Sequence, residues 1–428
     1  MSDTPKAKPK NPPFHYAWLI AIGCCFMNAG GLGAVLDAAG VFFVPVCDDL
    51  GFLRGDLQLY LTFYFIATIV AMPIIGWVLP KYNIRIVLSV AMAITALGVA
   101  AMGTYNEVWQ WYVSGVVFGL AGSFIFVVPA PILIINWFKK RTGVVLGIVM
   151  MFSGIGGAVL APVFTYLIEL LGWRNSYFLA AVIIALLVLP WTLFVFRFRP
   201  SDMGLRPYGW TEQDEQTKDV HERKGTTPSV SGVPFKKAVF SVGFVCMFLF
   251  CGLAAYYAGF NSNLPGFAVS IGYSPMFGAG MLSAVMIGNM FDKLVMGYLN
   301  DKVGVRLTVF VQLVMIVIGF LGFLFFQASE AGLLVAAFFF GVQNSLFSIS
   351  TPLMIRRLFG EKDYARIFTW ARIGTGVIGA FGPPTVGYIY DFTGTYNYAF
   401  LVGIAVAVLA AVVMVIAEMS RRRLVWEE

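Results

Sequence analysis

The chain has 428 residues, of which 59% are apolar, 16% aromatic and only 12% charged, against roughly 25% charged residues in an ordinary soluble domain. This composition excludes a soluble domain and requires lipid, because apolar runs of about 20 residues, the length that crosses about 30 Å of hydrocarbon, recur from Trp18 to Met414. The net charge of +7 calls for no nucleic acid, since a basic inner face beside anionic membrane lipid accounts for it.

In chain order, residues 1–14, MSDTPKAKPKNPPF, are basic and proline-rich and predict a disordered cytoplasmic tail. Apolar runs then predict twelve spans, at about 15–45, 57–79, 84–105, 108–138, 142–171, 175–197, 235–262, 275–299, 305–327, 331–358, 364–390 and 396–418. Lipid cannot satisfy backbone polar groups, so each span is expected to be a helix. The alternation of a barrel strand is absent. The fold class is therefore all-α and integral to the membrane. The polar stretch 199–234 separates a six-helix bundle at 15–198 from another at 235–419, and 420–428 is a second cytoplasmic tail.

Alternate loops collect Lys6, Lys8 and Lys10; Lys81 and Arg85; Lys139, Lys140 and Arg141; Lys302 and Arg306; Arg356, Arg357 and Lys362; and Arg421, Arg422 and Arg423. The opposite loops hold Asp48, Asp49, Asp56, Glu107, Glu330 and Asp391, with Arg54 and Arg174 as exceptions. Short basic loops resist translocation, so both termini are expected on the cytoplasmic side of a cell membrane. Cys24, Cys25, Cys47, Cys246 and Cys251 lie in or at the ends of spans without paired spacing and read as packing residues. His15 and His221 lie outside the spans. No metal, nucleotide or other cofactor motif is present, and no obligatory protein partner is indicated.

The two halves repeat. GGAVLAPVFTYLIELLGWRNSYFL from Gly156 aligns without gaps with IGAFGPPTVGYIYDFTGTYNYAFL from Ile378 at an offset of 222, and GWVLPKYNIR from Gly76 aligns with GYLNDKVGVR at an offset of 221. Repeats in a membrane bundle are expected in transporters, which bind substrate near the midplane between two rocking halves.

GYLNDKVGVR resembles the cytoplasmic loop motif of the major facilitator superfamily, with Gly297, Asp301, Lys302, Gly304 and Arg306 carrying the signature. In the first-half copy Pro80 replaces the aspartate and Asn83 the second glycine. NWFKKRTGVVLGIVMMFSGIGGAVLAP and GPPTVGYIYDFTGTYNYAF further resemble the monocarboxylate transporter and oxalate/formate antiporter branch, and the likeness runs through all twelve spans.

Charges inside the membrane are functional candidates, since one at a helix centre costs about 2.5 to 3.5 kcal/mol on insertion scales. Away from span ends these are Asp37, Asp292, Lys293 and Arg372. At a rise of about 1.5 Å per residue, Lys293 and Arg372 both lie about 10 Å inside. Two cations at one depth repel unless an anion joins them, which predicts a carboxylate clamp of guanidinium and ammonium. The repeat offsets map Lys293 onto Met72 and Arg372 onto Met150, so the framework itself does not require cations there. Adjacent helix residues diverge by about 100°, which makes a direct Asp292 to Lys293 pair poor. NMFDKLVMG resembles the eighth-span motif in which a polar or acidic residue precedes a substrate-binding arginine by one turn, placing Asn289 and Lys293 in those roles. FTWARIGTG resembles the eleventh-span segment that carries a lysine in the oxalate/formate branch, and Arg372 fills that place. Asp37 aligns with a first-span lysine of the monocarboxylate transporters; about 22 residues into its span, it is expected near the outer side and beyond contact with Lys293. Asp37 and Asp292 are the proton-coupling candidates.

Gly115 and Gly119, Gly143 and Gly147, and Gly154, Gly156 and Gly157 form small faces expected to pack helices. Trp109, Trp111 and Tyr112 read as interfacial belt residues, and Asn28, Tyr257, Gln343 and Asn344 as candidates for lining a cavity. These features predict a non-enzymatic secondary transporter of small organic anions, either monocarboxylates such as lactate or formate or a small dicarboxylate such as oxalate, working by proton symport or anion exchange. The competing expectations are a carrier of neutral or amphipathic solutes, with the cations locked in structural ion pairs, and a ligand sensor signalling through the central loop, which holds no recognisable domain.

Overall fold

The computed structural model describes residues 15–79, 81–126, 129–210, 232–421 and 424. The expected tail at 1–14, Pro80, most of the central loop, and Arg422 and Arg423 lie outside the described residues.

Helices long and apolar enough to cross a membrane cover Tyr16–Leu50, Arg54–Val78, Ile84–Met102, Val108–Trp137, Thr142–Val195, Val242–Ser270, Pro275–Asn300, Val305–Phe325, Glu330–Phe359 and Asn397–Arg421. The run Thr142–Pro190 is broken at Gly172, whose φ of 78° and ψ of 161° lie outside helical geometry, so it supplies spans five and six. Tyr364–Val377 and Gly382–Thr393, joined by a tight turn at Gly379–Phe381, form the eleventh segment. The arrangement is consistent with twelve spans. Span starts are set by residues whose side chains accept the orphan N–H groups of the first turn: Ser274 accepts from Phe277, with Pro275 in the first turn, and Ser329 accepts from Gly332.

Spans are referred to by number, and the ends facing the two chain termini as the termini face. Small residues let the spans cross closely. A Cβ at Gly115 or Gly119 would overlap the span-2 backbone at Tyr60 or Tyr64, and one at Gly156 would overlap Ala29 of span 1. Gly143 and Gly147, by contrast, have nothing within 4 Å. Among the described residues no other element packs against them, so the packing role expected of them is not observed. Trp111 also departs from expectation: it is 1% exposed and ringed by Phe52, Tyr105 and Trp173, because it points about 100° per residue away from the exposed Trp109. Tyr257 is packed among Phe260, Phe320 and Phe340 and lines no cavity. All five cysteines are free and buried, as packing residues are.

The tightest crossing in the second half is span 8 on span 10, where a Cβ on Gly288 would overlap the Phe338 carbonyl. Gly288→Val is expected to destabilise the fold by about 1 to 3 kcal/mol, the usual cost of overpacking. The readout is a lower Tm in detergent with uptake lost in proportion to folded protein; an unchanged Tm would refute the close approach.

Candidate functional site

Asn289, Asp292 and Lys293 occupy the middle of span 8. Asn289 and Lys293, four residues apart, share a face that looks toward span 5, where the absence of a side chain at Gly154 leaves room: a Cβ there would stand 3.6 Å from Asn289 Nδ2. Asn289 is 2% exposed and its Oδ1 has no hydrogen-bond partner.

Span 1 is irregular where it meets this face. Ala29–Asp37 winds in wide π-type turns and Ala39–Phe42 in a tight one, the kind of local distortion that re-aims a side chain. Gly157 of span 5 provides the meeting point, since a Cβ on it would be 2.9 Å from the Asp37 Cβ and 3.3 Å from Met286 Cγ. Met286 lies two turns before Lys293 on the same helix face. Asp37 and Lys293 accordingly act on each other electrostatically, as do Lys293 and Asp292. Among the described residues the two form no ion pair, but they stand near enough to act on each other through space.

Arg372 sits elsewhere. Its guanidinium carbon stands 4.3 Å from the ring centre of Phe347 in span 10 and 5.4 Å from that of Phe368; Tyr364 and Cys251 are the groups that act on it electrostatically. Among the described residues neither Lys293 nor Arg372 forms an ion pair, and neither is among the groups that act on the other. Lys293 faces spans 1 and 5, whereas Arg372 faces spans 7 and 10, so equal depth does not place both on one side of an anion.

The loop motif joins spans 8 and 9. Gly297 and Asp301 lie on the closing turns of span 8, the Lys302 ammonium stands 4.8 Å from the Tyr298 ring centre, and Arg306 opens span 9. Gly304 has a φ of 84°, a conformation that strains any residue bearing a Cβ, and this is a physical reason for the motif's second glycine.

Sequence reasoning missed a second set of residues, on the face opposite the termini, where the halves are fastened together. Gln58 Nε2 donates to Asn263 Oδ1 at 2.9 Å and Asn263 Nδ2 returns a bond to Gln58 Oε1 at 2.7 Å. Arg54 donates to Tyr396 Oη at 2.7 Å and lies 4.0 Å from the Tyr390 ring centre. The Gly55 N–H donates to Asp391, Tyr388 Oη to Asp56, and Thr62 Oγ1 to the Ala380 carbonyl, at 2.8, 2.5 and 2.6 Å. The available signal was Arg54, a basic residue on the side that otherwise carries acids. Arg174, the other exception, bonds the Tyr105 carbonyl at 3.0 Å and Asn106 Oδ1 at 2.8 Å.

Comparison with known proteins places these features in a family. The family model described as Major Facilitator Superfamily matches residues 18–330 and 281–425. Human monocarboxylate transporter 2 is 25% identical over 451 aligned residues, covering 100% of this chain and 91% of that one. The sialic acid transporter NanX of Escherichia coli (strain K12) is 24% identical, covering 84% of each. Among solved structures, the nucleoside transporter NupG superposes with a TM-score of 0.67 at 15% identity, covering 95% of this chain and 99% of that one. An inward-facing, unoccupied bacterial homologue of the human lysosomal transporter Spinster gives a TM-score of 0.64 at 14% identity, covering 98% of both. With a family model spanning nearly the whole chain, transporter relatives and long apolar helices, the chain belongs to the major facilitator superfamily: it is a multi-pass membrane transporter and not an enzyme.

Proposed function

We propose that the protein carries small organic anions bearing a carboxylate, with Lys293, Arg372 and Asn289 as the binding groups, by alternating access of the units 15–198 and 235–419. The observation that carries this reading is a pair of membrane-embedded cations, neither in an ion pair among the described residues, one of them resting on aromatic rings. A buried charge without an anion in direct contact is costly, and a carboxylate solute would supply that contact. A carrier of neutral solutes would need both cations locked in structural pairs. The relatives named as monocarboxylate and sialic acid transporters support the same class of cargo.

In this reading the termini lie in the cytoplasm and the far-face bonds close the outer side, so the conformation described is open inward. Gly143, Gly147 and Gly76, which meet nothing within 4 Å, then line the entrance. Gly297, Asp301, Lys302, Gly304 and Arg306 form the cytoplasmic gate. The clamp forms only when rocking and a bound anion draw Arg372 toward Lys293. Asp37 serves as the counter-charge that the anion displaces from Lys293.

The test is uptake of labelled lactate, formate and oxalate into liposomes containing the purified protein. Saturable uptake of at least one of them is expected, reduced about tenfold or more in Arg372→Ala, the loss corresponding to one hydrogen bond to a charged group. Asp37→Asn should bind anion but lose the counter-charge and with it efficient return of the empty carrier. Uptake of none of the three, or uptake unchanged in both variants, would overturn the reading.

A further inference from the structure

Arg372 is an embedded cation that meets no acid. Among the described residues no ion pair or hydrogen bond reaches its guanidinium, and the groups that act on it through space are a thiol, Cys251, and a phenol, Tyr364, neither of them a carboxylate. What it does meet is a ring. Phe347 of span 10 lies 4.3 Å from the guanidinium carbon, well inside the reach of about 6 Å over which the electron-rich face of an aromatic ring attracts a cation. Phe368, one turn back on the helix that carries Arg372, stands further off at 5.4 Å. Phe347 and Arg372 are both half-buried, so neither is sealed into the core.

The segment that presents the ring is itself built. Leu346–Ser350 winds in wide π-type turns, a distortion that gathers at functional sites, and Thr351 Oγ1 donates to the Leu346 carbonyl at 2.8 Å. Gln312 of span 9 braces it on either side of Phe347, donating to Ser345 Oγ at 2.6 Å and accepting from Ser350 Oγ at 2.7 Å. The internal repeat supplies a control. FGVQNSLF from Phe340 aligns with FGLAGSFI from Phe118 at the same offset of 222, so Phe347 corresponds to Ile125 and Arg372 to Met150. The wide turn of span 4 lies at Phe118–Gly122, which that offset maps to 340–344, whereas span 10 has its own at Leu346–Ser350. Ring and cation thus occur together in one half, and in the other both give way to uncharged, non-aromatic side chains on a shared framework.

We infer that Phe347 is a positioning residue: its ring is the seat on which the Arg372 guanidinium rests while the carrier is empty, and it governs how readily the carrier returns unloaded. The inference rests on Arg372 being an anion-binding group and adds the balance of net uptake against exchange to that reading. Spans 10 and 11 belong to one half, so ring and cation move together as the halves rock. In the open states water can stand in for the ring. In the closed middle of the cycle it cannot, and a guanidinium with neither anion nor ring is then an uncompensated buried charge. The seat therefore lowers the barrier for the empty carrier and does little for the loaded one, whose Arg372 holds the carboxylate. It also competes with the anion, since the seated state must release Arg372 before the clamp closes, and apparent affinity is weakened by the fraction seated.

The experiment replaces Phe347, by stop-codon suppression, with phenylalanines carrying progressively more ring fluorines, which drain negative potential from the ring face at nearly constant shape. The labelled anion is whichever of lactate, formate and oxalate the wild type transports. Net uptake into liposomes without internal anion is compared with exchange into liposomes preloaded with the same anion unlabelled; in exchange the carrier never returns empty. The ratio of net uptake to exchange should fall stepwise with fluorination, to about threefold or more below wild type for the most fluorinated ring, within the range that a cation–π contact supplies. KM for the anion should fall along the same series. Phe347→Leu, which removes the ring face outright, should lower the ratio at least as far. A side chain that merely fills space would give a flat series. A flat ratio, or a KM that climbs with fluorination, would overturn the inference while the anion-carrier reading stands. If Arg372→Ala carries the anion as well as wild type does, or wild type carries none of the three, the reading falls and the inference falls with it.

Discussion

Lys293→Met is expected to lower carboxylate uptake about 10- to 100-fold with little change in the amount of folded protein. A hydrogen bond from a charged group contributes about 1.5 to 3 kcal/mol, and each 1.4 kcal/mol is tenfold in affinity. Methionine is the residue that the internal repeat puts at the matching position, Met72, so the helix framework already accommodates it. A second effect has the same sign. Lys293 is the cation that offsets Asp37 and Asp292, and without it neither carboxyl has an opposing charge, which disfavours a nearby anion whenever either is ionised. Lys293→Arg keeps the charge and should retain much of the uptake with altered preference among anions, because a planar fork reads oxygen geometry that an ammonium does not. Uptake kinetics for the two variants decide the matter: full activity in Lys293→Met would remove Lys293 from the substrate site.

Most of the architecture was legible in the residues. Apolar length marked the long membrane-crossing helices, and the loop motif marked the family. The embedded charges were also visible, since four such residues stand out in a chain this apolar. What could not be read was how they group. Asp37 and Lys293 are 256 positions apart by number and come within electrostatic range of each other where span 1 is irregular between Ala29 and Phe42, a distortion that glycine content permits but does not announce. Equal depth put Lys293 and Arg372 side by side only on a one-dimensional scale; their opposed facings depend on helix rotation, which residue counting leaves open. The far-face fastening was harder still. Gln58 and Asn263 are unremarkable polar residues until a partner 205 positions away satisfies both amides.

That amide pair carries the second large expected effect. Gln58 and Asn263 are 0% and 3% exposed and exchange two hydrogen bonds across the bundles, so the closed outer side depends on both being present. Replacing one partner, as in Asn263→Leu, strands a buried amide in the closed conformation at a cost of about 1 to 3 kcal/mol. When the outer side opens, water satisfies the remaining amide and the cost disappears. The substitution should therefore shift the population toward the outward-open state by about 5- to 150-fold. Pulsed electron resonance between spin labels at the exposed positions Asp48 and Thr393, one on each bundle, would read this as a longer distance component that grows in Asn263→Leu. The Gln58→Leu, Asn263→Leu double variant makes the test specific: with no stranded amide in the closed state, it should close again and recover much of the short-distance population. Equal opening in the single and double variants would mean that Arg54, Asp391 and Tyr388 hold the outer side shut without help from the amides.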